Sequence, residues 1–169
     1  MDEKEIKQFE KLFGERIKFL RKRAGYKLQK DFARVFTNSD SKTSLLSRIE
    51  KGANIEFRTI IKLAQSLNIS LVSIFDFHNS LPILKGTGFK IPLEKLLQRE
   101  LISLGKRIKV IRNIKGKIQL DIDVTASIDR SNLSDYEKGI ANITFDTIII
   151  IANALEVKAW ELFDYKGKF

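Results

Sequence analysis

The sequence predicts an all-α protein made of two tandem five-helix units, and three observations carry that prediction. The stretch Gly14-Glu-Arg-Ile-Lys-Phe-Leu-Arg-Lys-Arg-Ala-Gly25 returns as Gly105-Lys-Arg-Ile-Lys-Val-Ile-Arg-Asn-Ile-Lys-Gly116. Each copy then reaches its own Glu-Lys-Gly, Glu50-Lys51-Gly52 and Glu137-Lys138-Gly139, followed by Asn-Ile-x-Phe-x-Thr-Ile-Ile and an Ala-x-x-Leu segment. Leu, Ile, Lys and Glu recur at three- and four-residue spacings, while two Pro and few alternating runs leave little material for strands.

The first helix of repeat one is expected from about Lys4 to Ala24, with Ile6, Phe9, Phe13, Ile17 and Leu20 on one face and Gly25 as a left-handed terminator. Its copy starts after Pro92, which suits a first-turn position, and carries Leu96, Leu97, Leu101, Leu104, Ile108 and Ile111 on the same face. Gln29 and Gln119 open the second helices. Gln119 leads through Leu120-Asp-Ile-Asp-Val-Thr125 to a short turn, where Asp129 is a suitable N-cap for a third helix with Leu133 and Tyr136 turned inward. Two short helices joined by such a turn make a helix-turn-helix. Repeat one has the same order with three extra polar residues in the turn, and its third helix ends at Ile49-Glu50. Phe57 to Leu67 and Phe145 to Leu155 form the fourth helices, and Leu71 to Phe75 and Lys158 to Phe163 the fifth.

With 169 residues, 43% of them hydrophobic, and a repeat boundary near residue 80, two small cores are expected rather than one. We divide the chain into residues 1–77, a linker at 78–91 rich in turn residues, and residues 92–169. The single histidine, His78, falls in the linker and is read as a surface residue. Phe75, Phe77, Trp160, Phe163, Tyr165 and Phe169 are read as cover for the cores, with an interface as the alternative.

A formal charge of +10 and a pI near 9.8 favour a polyanionic partner. The cations cluster in the first helix of each repeat. The N-terminal Met1-Asp-Glu-Lys-Glu-Ile-Lys lacks the apolar run of a signal peptide, and the longest apolar stretch, Thr147 to Leu155, is under half of the ~20 residues that span a bilayer. A cytoplasmic, nucleoid-associated protein with no membrane partner is expected. The absence of Cys, of a Gly-rich phosphate loop and of any evident paired-carboxylate site argues against an enzyme, and no cofactor or metal is called for.

On these motifs the chain resembles, twice over, the Cro and phage-repressor (Xre-type) helix-turn-helix family, across about residues 10–76 and 98–164. The resemblance implies lambda-repressor-like domains whose third helices read duplex DNA. It implies buried pairs of Arg21 with Glu50 and of Arg112 with Glu137, clamping the first helix to the third. Gln29 and Gln119 would touch a phosphate and brace the recognition helix. The base-reading faces would be Lys42, Thr43, Ser44, Ser47 and Arg48 in repeat one and Arg130, Ser131, Asn132 and Ser134 in repeat two, since Arg can grip guanine and Asn adenine in the major groove. Arg16, Lys22, Lys27, Lys30, Arg107 and Lys117 are taken as phosphate contacts.

Two departures stand out. Position five of the second helix is small in most relatives; Ala33 conforms and Asp123 does not. Asp121, Asp123, Asp129 and Asp135 also make the second repeat's face acidic. The leading expectation is a transcriptional regulator, a repressor, acting as a covalent pseudo-dimer or with one repeat reading DNA and the other dimerising. The alternatives are a protein-interaction module, such as an antitoxin or co-regulator with a regulatory protein partner, and non-specific nucleic-acid binding.

Overall fold

The computed structural model describes residues 1–37, 43–86, 90–126 and 128–167, and among them it is all helical. The first repeat contains α1 (Glu3–Arg23), α2 (Gln29–Thr37), α3 (Thr43–Glu50), α4 (Phe57–Leu67) and α5 (Leu71–Phe75). The second contains α6 (Leu93–Ile114), α7 (Gln119–Ala126), α8 (Arg130–Lys138) and α9 (Phe145–Ala154), with a 3-10 turn (Ala159–Leu162) in the place of a fifth α-helix. The enlarged turn of repeat one, including Asn38, Ser39 and Lys42, lies outside the described residues, as does Phe169.

Local chemistry sets the ends. Asp2 and Glu5 form a reciprocal capping box at α1, their side chains each 2.7 Å from the other's backbone N–H. Gly25 and Gly116 follow the long helices with φ of +94° and +67°, which Gly adopts without steric cost. Pro92 is the residue before α6 rather than within its first turn. Asp129 holds the N-cap position of α8 but makes no capping hydrogen bond, contrary to the sequence expectation.

The two repeats do not keep separate cores. Phe13, Phe57, Phe75, Phe145 and Phe163 belong to one continuous buried cluster. Phe57 N donates to Ile143 O at 2.8 Å, and Phe145 N donates to Ile55 O at 2.8 Å. Between them, Glu56 and Thr144 form an isolated antiparallel bridge. Glu56 meets its own counterpart Thr144, and the bond from Phe57 to Ile143 is answered by the equivalent one from Phe145 to Ile55, so the shared Asn-Ile-x-Phe motif pairs with itself. Phe75 stacks on its counterpart Phe163 at 4.3 Å between ring centroids, and the crossed pairs Phe57–Phe163 and Phe75–Phe145 match at 5.9 Å and 6.0 Å. Reciprocal contacts of this kind define a two-fold relation, so the seam is isologous within a single chain. Phe75 and Phe163 are therefore both core and interface.

The segment assigned as a linker folds back on the first repeat. Asp76 accepts from the backbone N–H of Ser80 (3.0 Å) and Leu81 (2.8 Å), Ser70 N donates to Leu84 O at 2.9 Å, and Gly86 N donates to Asn68 O at 3.1 Å. These bonds hold Asp76 below the usual carboxylate range although burial pushes it the other way.

Candidate nucleic-acid interface

The third helix of each repeat is fixed by the same three side chains. Arg21 Nε lies 2.6 Å from Glu50 Oε1 and Nη2 3.2 Å from Oε2, while Gln29 Nε2 donates to Glu50 Oε2 at 2.7 Å. In the second repeat, Arg112 Nε and Nη2 lie 2.5 Å and 3.0 Å from the Glu137 carboxylate, and Gln119 Nε2 donates to Oε2 at 2.9 Å. The remaining guanidinium nitrogen returns to the turn after the long helix, at Lys27 O (2.9 Å) and Lys117 O (2.9 Å). One bidentate pair thus ties three elements together: first helix, turn and third helix. The hydrogen bonds to Glu137 raise the pKa of Arg112 against the opposing effect of burial.

The helices reach this geometry because glycine sits at both crossings. A Cβ on Gly14 would fall 2.7 Å from Glu50 O, and one on Gly105 2.6 Å from Glu137 O. Any side chain there would push α3 off α1, or α8 off α6. In the sequence these glycines stand out only by recurring at the start of each repeat.

Of the base-reading candidates, Ser44 and Arg48 on α3 and Arg130, Ser131 and Asn132 on α8 are exposed, while Thr43, Ser47 and Ser134 are half-buried. Lys42 lies outside the described residues. The phosphate set divides. Lys22, Lys27 and Lys30 are exposed. Arg16 and Arg107 are not available: they are 3% and 8% exposed and aimed inward. Arg16 Nε and Nη2 donate to Ser73 O at 2.8 Å and 2.6 Å, with Nη1 on Asn79, and Arg107 Nε and Nη1 donate to Glu161 O (3.1 Å) and Gly167 O (2.9 Å). Burial lowers the pKa of both. They staple each long helix to the end of its own repeat, at equivalent places. Lys117 is also committed, with Nζ 2.7 Å from Ala154 O and 2.7 Å from Glu156 Oε1.

Ala33 is fully buried against the core, as a small residue at that position requires. Asp123 stays half-exposed, which avoids the cost of an unpaired buried carboxylate. From Gln119 to Lys138 the charged side chains are Asp121, Asp123, Asp129, Arg130, Asp135, Glu137 and Lys138, so this face carries more acid than base.

With that geometry in place, one comparison bears on the second repeat. A helix-turn-helix family model matches residues 108–159. The match spans the end of α6, all of α7, α8 and α9, and the start of the 3-10 turn. It supports a helix-turn-helix of the kind carried by DNA-binding transcription regulators. No curated protein and no solved structure matches the chain at a significant level. Among the described residues, no helix is long and apolar enough to cross a membrane.

Proposed function

We propose that the chain is a sequence-specific double-stranded DNA-binding repressor that acts as a covalent pseudo-dimer, with α3 and α8 as its two recognition helices. The reciprocal seam carries this reading. Because Ile55, Phe57 and Phe75 meet Ile143, Phe145 and Phe163 in the manner of a two-fold pair, the helices clamped to each side share that relation. A target matched to it has inverted half-sites about one helical turn, ~34–36 Å, apart. The exposed side chains of α3 and α8 differ, so the two half-sites differ in sequence. Exposed Lys22, Lys27 and Lys30 supply sequence-independent attraction to phosphates.

Selection of bound duplexes from a random library at near-physiological salt tests this. Enrichment of two unlike half-motifs in inverted orientation is the expected result. A perfect palindrome would mean that two chains each contribute one reading repeat, and no enrichment would remove sequence-specific reading altogether.

A further inference from the structure

The second repeat turns a row of apolar side chains to solvent where the first carries cations. α7 opens at Gln119 as α2 opens at Gln29, so Leu120 and Val124 stand in the places of Lys30 and Arg34. Val124 is 77% exposed and Leu120 48%, and Ile118, just before the helix, is 59% exposed. At about 100° per residue, Leu120 and Val124 share one side of α7, with Asp121 and Asp123 to either side of the row. Ile122 lies opposite and supplies the buried contact, being 1% exposed. The exposed row is therefore not needed to hold α7 in place.

We propose that this side of α7 docks a protein partner through an amphipathic helix whose apolar stripe is bordered by Lys and Arg. Charge selects this occupant over the others. A phosphate backbone is repelled by Asp121 and Asp123 and gains nothing from Leu120 or Val124. A second copy pairing through the same patch puts the same two aspartates on both sides of the contact, where like charges repel. A basic amphipathic helix satisfies both parts of the surface at once, laying its apolar side on the row and its cations beside the aspartates.

Fluorescence anisotropy of a short labelled Leu/Lys amphipathic helix, titrated with the full chain at near-physiological salt, tests the proposal. The variant is Leu120→Lys with Val124→Arg, which installs the residue types that α2 already carries at these places. Wild-type protein is expected to bind the Leu/Lys helix, the double variant to bind it at least about tenfold more weakly, and neither to bind a Leu/Glu helix of the same length. Equal binding by wild type and variant, or equal binding of the Leu/Glu helix, overturns the proposal. So does a wild-type dimer in sedimentation that the double substitution dissolves, since the occupant would then be a second copy. Both side chains are exposed, so matching melting curves are expected; should the pair impair folding, Val124→Arg alone gives the same comparison.

Discussion

Glu10 of α1 and Asp146 of α9 place two carboxyl groups together at the seam between the repeats, and each has a buried oxygen without a hydrogen-bond partner. The other Glu10 oxygen accepts from Lys7 Nζ at 2.7 Å. Burial, and then the neighbouring Glu10, raise Asp146 from its ordinary 3.8 to about 6. The folded chain therefore holds this proton more tightly than the unfolded chain does. The resulting stability is complete below about pH 4 and is lost as the pH rises through about 6. Asp146→Asn keeps the shape and removes the titration. The variant is expected to melt above wild type at pH 7 and to lose that advantage by pH 4. A difference that stays constant across this window would show that Asp146 does not titrate there.

Arg16 should behave as a staple and not as a DNA contact. Arg16→Ala leaves Ser73 O and the Asn79 side chain without their donor, and hydrogen bonds to a charged group contribute about 1.5–3 kcal/mol each. Urea denaturation is expected to show a loss of at least about 2 kcal/mol. The salt dependence of DNA affinity should be unchanged at temperatures where the variant is folded. A fall in that slope by about one would return Arg16 to the phosphate set.

The clamps make a paired prediction. Arg21→Ala strands the Glu50 carboxylate, whose remaining side-chain donor is Gln29, and breaking a buried pair costs about 3–5 kcal/mol. Arg112→Ala does the same to Glu137. Because the seam joins both repeats in one core, each substitution should lower a single cooperative transition. Two separate melting steps, only one of them shifted, would show that the repeats unfold independently.

What the sequence made legible was whatever depended on short range. Helical periodicity placed α1, α4, α6 and α9 because their apolar faces run over several turns, and the doubled Glu-Lys-Gly set the alignment of the repeats. The family resemblance implies the pairing of Arg21 with Glu50, and the structure joins them. The seam was not legible. Its backbone part is one hydrogen bond from each side, at Ile55 and Ile143, too short to leave a strand pattern, and the phenylalanines that stack across it read in the sequence as ordinary core residues. Nor did Arg16 look different from Lys18 or Lys22 in a run of cations. Its burial follows from where α5 ends, since the Ser73 carbonyl and Asn79 come to it from 57 and 63 residues away. Sequence spacing carries no record of such a return.

The division between base-reading and phosphate-positioning side chains is the point at which the proposed function stands or falls. Arg130 is exposed on the first turn of α8, beside Ser131 and Asn132. If α8 reads DNA, Arg130→Ala should relax preference at one base position in the half-site of the second repeat, at about 1–3 kcal/mol. Lys22, exposed at the end of α1, should act without regard to sequence. Lys22→Ala is expected to weaken binding to specific and scrambled duplexes alike and to lower the salt slope by about one. Parallel titrations of both variants against the selected site and single-base mutants of it separate the two roles. If Arg130→Ala leaves every base preference intact while Lys22→Ala still weakens all binding, α8 is not a reading helix. Specificity would then rest on α3 alone.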